Sequence, residues 1–198
     1  MSETSQSRST PINVRGTKVA LGPFLPEHLE IRVAYLQDPE VAIYSDGTFR
    51  LPSLEHETQV NAQFSEGKGT LFAVYELEKL TMIGEAGLSD VNYLHGRATF
   101  GITIGRKEYW GKGYGTEATR LVLDYGFRFL NLYNISLSTF SFNTRAIRAY
   151  EKAGFKEIGR RRGAHLLNGQ RYDEVYMDCL ASEFESPKPG WFIIGQGG

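Results

Sequence analysis

Between Thr70 and Ile104 three strand-like segments, TLFAVYELE, TMIGEAGLSDV and RATFGITIG, follow one another with only short polar turns between them, marked by Glu78, Lys79, His95 and Gly96. Segments rich in Val, Ile, Thr and aromatic residues favour strands, and a turn of a few residues returns the chain beside the strand it has just left. The stretch therefore predicts an antiparallel meander and disfavours a doubly wound parallel sheet. In its last member Ala98, Phe100, Ile102 and Ile104 alternate with Thr99, Gly101 and Thr103. One face is apolar, and the small or polar other face could admit a ligand.

The flanking segments fill out the domain. KVALGPF reads as a first strand, and LPEHLEIRVAYLQD predicts one helix with Pro26 near its start and Leu29, Val33 and Leu36 on one side. SLEHETQVNAQFSEG predicts a second helix, with Ser53 as its cap, Glu55 and His56 in its first turn and Gly67 at its end. After the meander, Ala118, Leu121, Val122, Tyr125 and Phe129 recur at helical spacing and must pack on a sheet. NISLSTFSF reads as a strand, NTRAIRAYEKAGF as a short helix capped by Asn143 and stopped by Gly154, and Asn168-Gly169 as the turn of a closing hairpin. This order describes one α/β (α+β) domain, a mixed and mainly antiparallel sheet flanked by helices. Its expected span is residues 14–182, between a flexible tail at 1–13 and a C-terminal tail at 183–198. In that last tail Trp191 to Ile194 could dock on the body or on a neighbouring subunit, which leaves a homo-oligomer open.

Composition excludes several classes. Of the 198 residues 41% are apolar and 23% charged, and no apolar run reaches the ~18 residues that a membrane-spanning helix needs. The polar start MSETSQSRSTPIN lacks an apolar signal core, so a cytoplasmic location is expected. A net charge of −1 argues against nucleic-acid or membrane-surface partners, even though Arg160 to Arg162 are consecutive. His28, His56, His95 and His165 with the single Cys179 offer no zinc-type spacing, so no metal is expected, and Cys179 within VYMDCL reads as a small buried hydrophobe. The segment from Arg145 to Arg162 is locally basic, either a solvated helix face and turn or a site for a phosphate-bearing small ligand.

YWGKGYGTEA, residues 109–118, joins the meander to the amphipathic helix and carries Gly111, Gly113 and Gly115. Glycines at a strand-to-helix turn permit torsions and close approaches that side chains forbid, and a helix start offers backbone N–H groups and a positive dipole end to an anion. The spacing is neither G-x-x-x-x-G-K-[ST] nor G-x-G-x-x-G, which disfavours ATP and NAD. A tight structural turn and an anion site both remain open on this loop alone.

WGKGYG together with N-x-x-A-I-x-x-Y-x-K-x-G-F and a final NGQ-x-x-D hairpin resembles the GNAT acyltransferase superfamily over about Val14 to Leu180. The nearest branch holds the ribosomal-protein alanine and spermidine N-acetyltransferases. Trp110 stands where Gln or Arg is usual, a departure familiar in that branch. The resemblance implies an acetyl-CoA-dependent N-acetyltransferase acting on a primary amine, a peptide or protein N-terminus or a small amine, by direct attack in a ternary complex. It implies that backbone N–H groups of Gly111, Lys112, Gly113, Tyr114, Gly115 and Thr116 hold the coenzyme pyrophosphate, with Lys112 and Arg106 as nearby cations or merely solvated ones. Main-chain N–H groups of Ile102, Thr103 and Ile104 would stabilise the oxyanion, beside a bulge that splays this strand from the next. Tyr150 would protonate the leaving thiolate, Asn143 would both cap its helix and contact the coenzyme, and Arg145 and Arg148 would meet the phosphate end. Gly113 and Gly115 are the loop positions expected to be least tolerant of a side chain.

The base is the weak point of the resemblance. Related enzymes often carry Glu where this chain has Thr99, which leaves Glu85 in GEAGL as the substitute or, equally, as an edge-strand surface residue, with His95 behind it. Glu27, Glu30, Asp38, Glu40 and Asp46 lie in the segment that walls the acceptor site in such folds and would suit a cationic acceptor. The missing acid also supports a second reading, an acyl-CoA-binding or sensing module that has lost transfer.

Overall fold

A computed structural model of the chain describes residues 12–49, 51–64 and 69–187; most of the N-terminal tail, the expected helix stop at Gly67 and Trp191 to Ile194 lie outside the described residues. The elements run β1 (Val14–Arg15), β2 (Val19–Pro23), α1 (His28–Leu36), α2 (Pro39–Asp46), α3 (Leu54–Gln63), β3 (Thr70–Glu76), β4 (Met82–Asn92), β5 (Arg97–Ile104), α4 (Tyr114–Arg128), β6 (Asn134–Phe140), α5 (Thr144–Ala153), β7 (Lys156–Leu167) and β8 (Gln170–Leu180). They form one sheet in the order β1-β2-β3-β4-β5-β6-β8-β7. Every neighbouring pair is antiparallel except β5 and β6, which are parallel because α4 carries the chain across between them.

The helix expected over residues 25–38 is α1, and a further helix that was not expected, α2, follows it directly. Pro39 sits at the first position of α2, and the residue before a proline is pushed out of helical torsions. Asp38 accordingly adopts φ −74°, ψ 117°, and its carboxylate accepts the Glu40 N–H at 2.9 Å, capping α2 instead of extending α1. The other expected caps are present. Ser53 Oγ accepts from His56 N–H, Asn143 Oδ1 accepts from Ala146 N–H, and Gly154 closes α5 with φ 118°. Asn168 and Gly169, with φ 51° and 77°, make the hairpin turn between β7 and β8.

The core lies between α4 and the sheet. Leu121, Val122 and Leu123 are buried against Leu21, Leu88, Ile135, Val175 and Met177, and full burial of each such side chain contributes about 1.5–3 kcal/mol. Cys179 is buried in the same cluster, as its context predicts. Within the basic segment Arg160 binds Glu157 and Arg161 binds Glu174, while Arg145, Arg148 and Lys152 belong to α5. Among the described residues no helix is long and apolar enough to cross a membrane, and no group of His, Cys, Asp and Glu could hold a metal ion.

β4 and β5 meet closely at Gly84, where an added Cβ would lie 2.0 Å from the Thr103 carbonyl oxygen. Because the obstacle is backbone, Gly84→Ala must part the two strands beside Ile104, at a cost of about 1–3 kcal/mol. Thermal unfolding is expected to show a lowered midpoint, and an unchanged midpoint would contradict the close contact.

Candidate active site

The central feature is a parting of strands. β5 and β6 pair only from Arg97↔Asn134 to Thr99↔Ser136, although β5 continues to Ile104 and β6 to Phe140. The Gly105 N–H donates to the Ile83 carbonyl at 2.9 Å, so alternation along β5 turns the backbone of Thr103 towards β4 and that of Ile102 and Ile104 towards the parting. Two bonds agree with this parity: Ser136 Oγ donates to the Ala98 carbonyl at 3.5 Å and Trp110 Nε1 to the Ile104 carbonyl at 2.6 Å. Of the three expected oxyanion donors, the N–H groups of Ile102 and Ile104 therefore face the parting and that of Thr103 faces β4. The Thr103 side chain instead shares a hydrogen bond of 2.9 Å with Ser45 of α2. The bulge implied by the resemblance is also absent opposite these residues. The register with β4 is unbroken from Ser89↔Thr99 to Gly84↔Ile104, so divergence of β6 alone opens the sheet.

A cleft of about 900 Å³ occupies the parting. Its walls are the end of β5, the glycine loop, the first turns of α4 and α5, Val41, Tyr44 and Ser45 of α2, and the β1–β2 turn from Arg15 to Lys18. Gly111 and Gly113 have φ of 71° and 88°, a region that L side chains rarely adopt, and nothing lies within 4 Å of a Cβ built on Gly111. Gly115 is different. Its torsions are helical and a Cβ would meet Ile104 at an ordinary 3.6 Å, so the torsional constraint falls on Gly111 and Gly113 rather than on Gly113 and Gly115. The first bond of α4 runs from Glu117 N–H to the Gly113 carbonyl, which leaves the N–H groups of Tyr114, Gly115 and Thr116 with no intrahelical acceptor.

The side chains of the loop do not all join the cleft. Lys112 is exposed, and neither it nor Tyr114, whose ring stands edge-on to Tyr109 at 5.0 Å, lines the cleft. Arg106 is engaged by the Met82 carbonyl and Glu108. Trp110 does line it, and the Arg145 guanidinium lies 3.5 Å above its ring and 4.8 Å from that of Tyr44. Asn143 is buried, and beyond capping α5 its Nδ2 donates to the Tyr44 carbonyl at 3.2 Å, tying α2 across the parting. Arg148 and Tyr150 also line the cleft. The half-buried Tyr150 ring meets Phe100 and Phe155 edge-on, and desolvation pushes its phenol up to about 12.

The family model described as "Acetyltransferase (GNAT) domain" matches residues 18–156. The chain belongs to the GNAT acetyltransferase family. It is 30% identical over 161 residues to the uncharacterized N-acetyltransferase p20 of Bacillus licheniformis, covering 80% of this chain and 90% of that protein. It is 38% identical over 113 residues to the spermidine N(1)-acetyltransferase of Escherichia coli K12, covering 56% of this chain and 60% of that one. The solved spermidine N-acetyltransferase of Vibrio cholerae in complex with CoA and spermine superposes with a TM-score of 0.76 at 26% identity, over 85% of this chain and 98% of that one. The protein is thus an N-acetyltransferase, and acetyl-CoA is its co-substrate.

Two sets of cleft-lining residues carry no mark in the sequence expectations. Tyr44 and Ser45 lie on α2, which Pro39 could have signalled, whereas Lys18 reaches the loop from 94 residues away and no local pattern marks it. Glu85 needs the opposite correction. It is neither an edge-strand residue, since β3 and β5 flank β4 on both sides, nor a lining residue of the cleft. It is buried, with Oε1 3.2 Å from Arg32 Nε, and Arg32 also faces Glu57 at 3.6 Å. That carboxylate is committed to α1 and is not positioned as a base for the cleft.

Burial pushes the Glu85 carboxyl up to about 7 from its usual 4.5, with Arg32 pulling it back. A carboxyl raised on folding contributes stability that is present below the unfolded value and lost as pH rises through the folded one. The thermal midpoint is therefore expected to fall between pH 5 and pH 8 by more in the wild type than in Glu85→Gln. Equal slopes for the two proteins would remove Glu85 as the cause.

Proposed function

We propose that the enzyme acetylates a primary amine by direct attack in a ternary complex within this cleft. The reading is carried by one observation: Gly115 and Thr116 at the open start of α4, Ile102 and Ile104 on the unpaired edge of β5, and Tyr150 all line a single cavity. Acetyl-CoA supplies an activated acyl group, and the residues fit its parts. The N–H groups of Tyr114 to Thr116, at the positive end of the α4 dipole, would hold the pyrophosphate. The free edge of β5 would pair with the pantetheine arm as an added strand, with Ile102 and Ile104 N–H donating along it and towards developing carbonyl charge.

Proton balance assigns the rest. The amine nitrogen bonds to the acyl carbon as the carbon–sulfur bond breaks, the amine proton leaves to water, and Tyr150 gives its proton to the sulfur and regains one from solvent. A phenol at about 12 is always protonated near neutrality, as an acid must be. Transfer to a thiolate of ordinary pKa ~8.5 is uphill by roughly 5 kcal/mol, a cost that shrinks because the same desolvation raises the thiol. Among the described residues lining the cleft Glu117 is the one carboxylate, and three hydrogen bonds from Thr17 and Lys18 engage it. Solvent is therefore the proton acceptor for the amine.

The same inventory bears on the acceptor. Of the acidic residues expected to wall its site, Asp38 and Glu40 are held by Lys107 at 2.6 and 3.1 Å. With no uncommitted carboxylate among the described lining residues, the cleft favours a singly charged amine or a peptide N-terminus over a polycation.

Tyr150→Phe is expected to lower kcat by about 10²–10⁴-fold. In the wild type kcat/KM should rise with pH towards the acceptor's own pKa, with no falling limb before about pH 11. Unchanged turnover in the variant at every pH would reject Tyr150 as the acid. Thiol release measured with spermidine, a monoamine and a short peptide in parallel is expected to give spermidine the lowest kcat/KM. A preference for spermidine would overturn the charge argument and leave transfer itself standing.

A further inference from the structure

We infer that Lys18, and not the loop's own Lys112, supplies the countercharge to the coenzyme's pyrophosphate; this rests on the placement of that group at the start of α4. The β1–β2 turn lies against the glycine loop. Lys18 Nζ donates to the Lys112 carbonyl at 2.9 Å and would be 3.5 Å from a Cβ on Gly113, so the ammonium sits beside one of the two loop residues with positive φ. An ammonium has three donors and that carbonyl takes one, which leaves two for phosphate oxygens without disturbing the loop. Lys112 has the right charge in the sequence, but its exposed side chain is not part of the cleft.

The turn is also held in place for this task. Glu117, in the first turn of α4, accepts from Thr17 N–H at 2.5 Å, Thr17 Oγ1 at 2.6 Å and Lys18 N–H at 2.8 Å. These bonds fix the backbone that carries the lysine. They also engage the carboxylate that would otherwise repel an anion at the helix start. Glu117 therefore acts as a positioning residue and Lys18 as a coenzyme-binding one. Arg120 lines the same cleft but donates to the Glu185 carbonyl, whereas Lys18 donates to the glycine loop itself.

A charge-assisted bond of this kind corresponds to about 10- to 100-fold in affinity, less as salt screens it. Isothermal titration of coenzyme A into the full chain, the Lys18→Met, Lys18→Arg and Lys112→Met variants, and turnover with acetyl-CoA against S-acetylpantetheine, which lacks the phosphates, test the inference. Lys18→Met is expected to weaken coenzyme A about 10-fold or more at low salt. It should lose more activity with acetyl-CoA than with S-acetylpantetheine, Lys18→Arg should recover most of the affinity, and Lys112→Met should lose less. Wild-type affinity in Lys18→Met, or a larger loss in Lys112→Met, would overturn it. No binding of coenzyme A by the wild type would instead reject the placement of the coenzyme, and this inference with it.

Discussion

The site depends on backbone groups that the sheet leaves unpaired. Every N–H and C=O inside a sheet needs a partner, and a parallel pair that separates after three registered positions presents an open edge in the middle of the fold. At the Ile104 carbonyl the need is met by the Trp110 indole, and the N–H groups of Ile102 and Ile104 remain directed into the cleft. An extended ligand arm that bonded along this edge, as proposed for pantetheine, would complete the sheet. Closing β5 against β6 would remove both these donors and the cleft between the strands.

The neighbours of the parting are fastened across it by polar contacts from distant parts of the chain. α2 is tied to β5 by Ser45 and Thr103, to α5 by Asn143 and the Tyr44 carbonyl, and to β7 through His165 and the Gly47 carbonyl. Trp110, Tyr44 and Arg145 stack over the same seam, so the loop that would hold phosphate and the helix that carries Tyr150 share one brace. Charge is arranged by the same economy of partners. Glu117, Asp38, Glu40 and Glu85 each face a donor or cation of the protein, and acidic sequence near the cleft does not become an acidic cleft.

Features governed by local chemistry were legible in the sequence. The meander, the apolar stripe of α4, the caps at Ser53 and Asn143 and the Asn168-Gly169 turn depend on residues a few positions apart, and all are present. The torsions of the loop were half legible: Gly113 needs a positive φ as expected, but the partner that shares this need is Gly111, because Gly115 already lies within the helix. Glu85 was misplaced for a different reason. Whether a charged residue in an apolar strand faces solvent, substrate or a buried guanidinium is set by the helix packed above it, and Arg32 lies 53 residues earlier.

By itself the sequence determined the order and kind of the elements, a mainly antiparallel sheet, the glycine turn before α4 and the tyrosine on α5, since each follows from short-range periodicity, capping and turn chemistry, with the family resemblance joining the two motifs. The tertiary structure alone decided which β5 amides face the cleft, that Thr103 binds α2, that Glu85 belongs to Arg32 and that the lysine at the loop is Lys18. Those outcomes rest on strand parity and on contacts between residues 53 to 94 positions apart, and no local pattern carries such information.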